Sequence, residues 1–169
     1  MLFLTMTLIS VNSLSAELSK AEADLVRSEI NSMYNAYEAG DASLFLKKTH
    51  KSIYSVMGGK QNFENFFESA VSQLNELGVK FVEETLGEPT KLYDAGNEEV
   101  CFIPRISIIE IQGQKVKSTG FLIAIRTKGE KSWSYLDGTG LREDQSLLWK
   151  LLPELVKNIE LPANYAEML

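Results

Sequence analysis

Six side-chain groups in this chain could do chemistry, and each implies a different kind. His50 is the sole histidine and the one side chain whose unperturbed titration falls near neutral pH. Lys47, Lys48 and Lys51 surround it in sequence, which points to a solvated helix end rather than to a base steered by a carboxylate. Arg105 interrupts an otherwise apolar strand, so its guanidinium must face solvent or meet a counter-charge; Asp137, Glu83 and Glu84 are the acids in reach. A structural ion pair satisfies that demand. The functional form is a pocket in which Arg105 and Asp137 hold a polar or anionic ligand while Tyr34, Tyr37, Tyr93 and Tyr135 supply walls and hydroxyls. Cys101 lies among Val100, Phe102 and Ile103 and reads as a small buried hydrophobe. Gly58-Gly59-Lys60 lacks the spacing and the following hydroxyl residue of a phosphate loop and reads as a corner between helices.

A lone His and a lone Cys leave a zinc or iron site short of ligands, and no cofactor motif occurs; no metal and no cofactor is expected. With one thiol no disulfide forms within the chain, so stability must come from packing. The net charge of -6, with basic residues interleaved among acids, argues against nucleic acid and against an anionic membrane surface.

The elements that must position these groups change character midway. Helical spacing runs from Ser19 to Ala39 through Leu25, Ile30, Met33, Tyr34 and Tyr37 and stops at Gly40. Asp41 reads as the cap of a second helix carrying Leu44, Phe45 and Leu46, Ser52 to Met57 as a third, and Gln61 to Leu77 as a fourth, with Phe63, Phe66, Phe67, Ala70, Val71, Leu74 and Leu77 on one stripe. After Gly78 the period becomes 2. Strands are expected from Val79 to Leu86, Lys91 to Tyr93, Glu99 to Ile111, Lys115 to Thr127 and Ser132 to Leu136, the long pair forming a hairpin around Gln112-Gly113-Gln114. Pro104 implies a bulge or an edge position. A helix from Leu141 to Leu152 and a loose tail beyond Pro162 complete the chain, with Asp137-Gly138-Thr139-Gly140 turning into that helix.

Helices first and an antiparallel meander second predict an α+β fold in which N-terminal helices pack on one face of a strongly curved antiparallel sheet. The other face is then open, and Ile109, Ile111, Phe121, Ile123 and Ile125 offer apolar residues for a homodimer through the sheet. Residues 1–16 pair an apolar run, Leu2 to Val11, with the small polar Asn12-Ser13-Leu14-Ser15-Ala16, the pattern of a secretory signal peptide. Its removal leaves a single domain over 17–162, a tail over 163–169 and no membrane segment, in a secreted or periplasmic setting.

Thr49-His50, Met57-Gly58-Gly59-Lys60, Trp133 to Leu141, Leu152-Pro153 and Leu161-Pro162 resemble small secreted members of the nuclear transport factor 2-like, or cystatin-like, superfamily, which includes the SnoaL-like proteins. The resemblance implies a cystatin-like α+β roll with a conical pocket between sheet and helices, and says little about chemistry. No catalytic motif of the superfamily's enzymes maps onto these residues. Three functions stay open: a non-catalytic domain that binds a small ligand or a protein; an isomerase or dehydratase with a pocket carboxylate as base and Tyr hydroxyls as donors; and an inhibitor or immunity-type protein with an acidic surface.

Overall fold

The computed structural model describes residues 16–169; the expected signal segment lies almost wholly outside the described residues. Among the described residues, five α-helices and a six-stranded antiparallel sheet make an α+β fold. Helix α1 (Lys20–Glu38) begins where Ser19 and Glu22 exchange hydrogen bonds in a capping box, so two orphan backbone donors are satisfied at once. Its inward stripe is Ala23, Val26, Ile30 and Met33. Val26, rather than the expected Leu25, is buried, and Leu25 is 43% exposed. The true stripe follows the spacing 23, 26, 30, 33, which Leu25 does not share. Burial of Val26 and Ile30 is worth about 2 kcal/mol each relative to exposure.

Short helices α2 (Ser43–Lys48) and α3 (Ser52–Val56) follow, and then α4 (Lys60–Glu76), which buries no residue completely. Phe63, Phe67, Ala70, Val71 and Leu74 are half-buried, whereas Phe66 and Leu77, expected on the same stripe, are 58% and 52% exposed. The α4 helix is thus a lid over other side chains rather than a core element.

Strands β1 (Lys80–Leu86), β2 (Tyr93–Ala95), β3 (Glu98–Ile111), β4 (Gln114–Thr127) and β5 (Ser134–Asp137) carry the meander. The β3-β4 hairpin keeps an unbroken register from Glu98↔Thr127 to Ile111↔Gln114. Gln112 and Gly113 both have positive φ, the condition for a two-residue turn whose twist matches that of the strands. No bulge forms at Pro104. The register break lies instead in β1, between Phe81 and Glu83. Pro104 occupies the gap on β3 between the partners β1 and β2, where its carbonyl accepts from the Gly87 N–H, so its missing donor costs no ladder bond.

The C-terminal third departs most from expectation. A 3-10 turn (Gly138–Leu141) and a short helix α5 (Leu147–Leu151) replace the single helix expected from Leu141 to Leu152. The expected loose tail forms strand β6 (Tyr165–Met168), which pairs with β4 from Val116↔Met168 to Thr119↔Tyr165. Both faces of the sheet are covered near its centre. On one, Val26, Ile30 and Met33 of α1 meet Cys101, Ile103, Leu122, Ala124, Trp133 and Tyr135. On the other, Leu141, Leu148, Leu152 and Leu155 meet Val100, Phe102, Phe121, Ile123 and Ile125. Phe121, Ile123 and Ile125, expected on an open face, are therefore core residues covered by the chain's own C-terminal segment. The chain length after β5 left room for that cover, and its leucines share a helical period, but periodicity within a segment does not say which sheet face the segment will cover.

Arg126 ties α1 to the sheet: it donates to Glu22 at 2.6 Å and Glu99 at 2.5 Å, and its guanidinium lies 4.5 Å from the Trp133 ring. The Ser19 hydroxyl and then Arg126 hold the Glu22 carboxyl down at about 2. No helix among the described residues is long and apolar enough to cross a membrane.

Candidate functional site

Arg105 sits on β3 between Leu86 of β1 and Gly120 of β4, and its side chain reaches Tyr34 of α1 and, past β4, Asp137 of β5. It is 8% exposed, and the partners inferred for it are in place: Asp137 Oδ2 lies 3.2 Å from Nη1 and Glu84 Oε1 lies 3.6 Å from Nε. Arg105 also donates to the Tyr34 hydroxyl, and its guanidinium lies 5.8 Å from the Tyr34 ring centroid. Glu84 accepts from Ser107 Oγ at 2.5 Å. Burial opposes the charge of Arg105, but the Asp137 carboxylate and its neighbours outweigh it and hold the guanidinium firmly protonated. Burial raises the Glu84 carboxyl above its ordinary range, against the Ser107 hydrogen bond and the Arg105 charge. It also raises the Tyr34 phenol, so that group stays protonated.

Asp137 is shared between this network and a cavity of about 240 Å³ between helices and sheet. Met33, Phe45, Phe63, Phe67 and Leu122 make most of its wall, together with Ile53, Leu136, Leu151, Thr49 and the Tyr135 ring. Phe45 stacks obliquely on Phe67 at 6.3 Å and edge-on against Tyr34 at 5.3 Å, so α2 and α4 close the cavity with aromatic edges. Every oxygen of Asp137 is engaged. Oδ1 accepts from Thr139 N at 2.7 Å and Thr139 Oγ1 at 2.6 Å, capping the 3-10 turn, and Oδ2 faces Arg105. The carboxylate is thus committed to structure, and it offers the cavity a rim of negative charge rather than a free base.

The remaining candidates scatter. Tyr37 packs edge-on against Phe45 at 5.8 Å and Phe81 at 5.7 Å, beside the network but not in it. Tyr135 gives its ring to the cavity and donates its hydroxyl to Glu29 at 2.8 Å. Tyr93 lies on the opposite face of the sheet, 5.6 Å from Phe102, and does not join the others. His50 is also elsewhere. It is buried, not the solvated helix end its lysine neighbours suggested, and its Nε2 lies 3.1 Å from Glu98 Oε1. That carboxylate is 48 residues away in sequence, which local reading cannot see. Cys101 is buried, and burial pushes its thiol up to about 12, as expected of an inert core residue.

The cavity walls Phe45, Phe63 and Phe67 went unrecognised as site residues because their helical spacing reads as core. For Phe63 and Phe67 the signal was the cluster of aromatics at the start of the α4 stripe; Phe45, on α2, carried none. Among the described residues no cluster of three or more His, Cys, Asp or Glu side chains is placed to hold a metal ion. Comparison of the chain with protein-family models, with curated proteins and with solved structures finds no match.

Proposed function

We infer that this chain is a secreted or periplasmic domain of the nuclear transport factor 2-like kind, a cystatin-like roll, whose cavity between helices and sheet takes up a small apolar molecule without altering it chemically. The observation that carries the reading is the cavity itself: about 240 Å³ behind a wall of Phe45, Phe63, Phe67 and Leu122, bordered by a carboxylate whose oxygens are already used. Space of this size admits a molecule of one or two rings, since an apolar cavity of roughly 150 Å³ accepts benzene. The isomerase reading is weaker because it needs a free pocket carboxylate, and Asp137, the carboxylate on the cavity wall, faces Arg105 at 3.2 Å and caps Thr139, while Glu84 does not line the cavity. The Arg105, Tyr34 and Glu84 side chains support the wall and keep the Asp137 charge at its rim. Indole is a suitable probe. Titrated into labelled protein, it is expected to shift the methyl resonances of Met33 and Leu122 saturably, and Ile53→Trp, which fills the space, is expected to abolish the effect. Linear shifts without saturation, or the same response in Ile53→Trp, overturn the reading.

Export is part of the same proposal and rests on the apolar Leu2 to Val11 and the small residues after it. The Ala16 carbonyl accepts from Leu92 N at 2.8 Å, so cleavage that leaves Ala16 as the first residue preserves a contact that cleavage after it removes. Intact-mass analysis of the protein from its native host is expected to give a chain starting at Ala16. A species that keeps Met1 ends the idea.

A further inference from the structure

A second constellation lies away from the cavity, where α3 begins against the start of β3. Ser52 Oγ is 2.9 Å from His50 Nδ1, and His50 Nε2 is 3.1 Å from Glu98 Oε1. The Ser52 backbone N–H also points at Nδ1, at 3.4 Å. A backbone N–H can only donate, so Nδ1 carries the lone pair and Nε2 carries the proton, which it gives to the Glu98 carboxylate. That is the tautomer a base needs in order to accept a proton from the serine hydroxyl, with the carboxylate orienting the ring from its far side.

The residue is held on its backbone as well as at its ring. His50 is 6% exposed, its backbone N–H donates to the Tyr135 carbonyl at 3.0 Å, and its backbone carbonyl accepts from Ile53 N at 3.3 Å. Glu98 is held at the head of β3 by pairing with Ala95 on one side and Thr127 on the other. A histidine that only closed the turn would need the backbone N–H alone; here the hydroxyl is the nearer donor. A cleft of about 460 Å³ opens on these groups, with His50, Lys51, Ser52 and Glu98 on its walls and Leu151 and Pro153 also lining it.

We propose that Ser52, His50 and Glu98 form an acyl-transfer site that hydrolyses carboxylic esters with short apolar acyl groups, in a cleft distinct from the helix-to-sheet cavity although Leu151 lines both. Ser52 Oγ adds to the ester carbonyl carbon while its proton passes to His50 Nδ1. The imidazolium, balanced by Glu98, returns that proton to the departing alkoxide as the acyl C–O bond breaks, which leaves an ester on Ser52 and a free alcohol. Water then adds to the acyl carbon with His50 again taking the proton, and the proton returns to Ser52 Oγ as the acid departs. Lys51 brings a cation to the same cleft for the oxygen that becomes negative in each tetrahedral intermediate. Leu151 and Pro153 give the acyl group apolar surface. Ser52 and His50 are the catalytic residues, and Glu98 is a positioning residue.

The test uses the folded chain from Ala16 onward with a fluorophosphonate probe and with p-nitrophenyl acetate. Peptide mass spectrometry is expected to place the phosphonate adduct on Ser52, and Ser52→Ala is expected to lose the adduct and to slow ester hydrolysis on the order of 100-fold, the usual share of a positioned base and nucleophile. His50→Gln is expected to match it. Should His50→Gln unfold, Ser52→Ala still decides, because Ser52 is only partly buried and its circular dichroism should be unchanged. For Glu98→Gln the readout is the pH–rate profile of adduct formation, which moves where the carboxylate orients a working imidazole and stays put where it merely holds the fold. An adduct on another residue, no adduct at all, or wild-type hydrolysis by Ser52→Ala overturns the proposal.

Discussion

Arg105→Met is expected to destabilise the domain by about 3 kcal/mol at pH 7, whereas Arg105→Met combined with Glu84→Gln is expected to cost less than Arg105→Met alone. The reason is what each substitution leaves behind. Arg105 is buried with Glu84, whose side chain is 15% exposed, while Asp137 is 49% exposed. Taking Arg105 away strands the Glu84 carboxylate in a site that already raises its proton affinity by burial. Asp137→Asn takes one counter-charge from Arg105 but leaves Glu84 beside it; its own position is half solvated and an Asn oxygen can still cap the turn at Thr139, so a loss of about 1 kcal/mol is expected. The pH dependence carries a definite sign. A carboxyl whose folded-state titration is raised above its unfolded value of 4.5 contributes stability that is complete below that value and is lost as pH rises through the folded one. Removing the Arg105 charge raises the folded value further. The deficit of Arg105→Met is therefore largest near neutrality and shrinks toward pH 4.5. Denaturant unfolding of the two single variants and the double variant at both pH values measures all of this. Strict additivity, or a deficit that does not change with pH, refutes the account.

The Arg105 pair was legible because a guanidinium inside an apolar strand poses a problem with few answers. Arg105 sits between Ile103 and Ser107 on one face, and the acids able to reach that face were few. His50 posed no such problem on paper. Its sequence neighbours are lysines, and its actual partner, Glu98, arrives only when the start of β3 is brought under the α2-α3 corner by the bridge between Thr49 and Tyr135. Long, strongly periodic pieces such as α1, α4 and the β3-β4 hairpin were readable to within a residue or two. The segment after β5 was not. Leu141, Leu148, Leu152 and Leu155 follow one another at 7, 4 and 3 residues, a helical period, yet only Leu147–Leu151 is α-helix and Pro153 bars its continuation, and the four leucines cover the sheet face that alternation in β4 leaves apolar. The same limit applies to β6, whose four residues are all exposed and whose only instruction is the free edge of β4.

Gly138→Ala is expected to destabilise the domain by about 3 kcal/mol and to lower its melting temperature by about 10 °C, while Gly140→Ala, two residues along, changes stability by about 0.5 kcal/mol or less. Both glycines invite the explanation that a turn needs unusual backbone angles. Neither has positive φ, so that explanation fails at both. What separates them is space. A Cβ on Gly138 would lie 2.5 Å from Phe121 Cε2 and 2.7 Å from the Phe121 carbonyl oxygen, whereas one on Gly140 would meet nothing within 4 Å. The Phe121 ring cannot swing aside easily, because it is fully buried against Phe102 at 5.5 Å. Its carbonyl cannot retreat either, being part of β4 next to Leu122, which pairs with Asp137. A methyl group at 138 would thus push β5 away from β4 at the residue that carries the Asp137 carboxylate to Arg105 and to the cavity rim. Gly138→Ala is expected to weaken indole binding as well as stability, and Gly140→Ala to alter neither. Thermal unfolding of the two variants side by side separates a steric requirement from a conformational one: equal losses at both positions, or none at either, would show that close approach to Phe121 is not what the chain needs at Gly138.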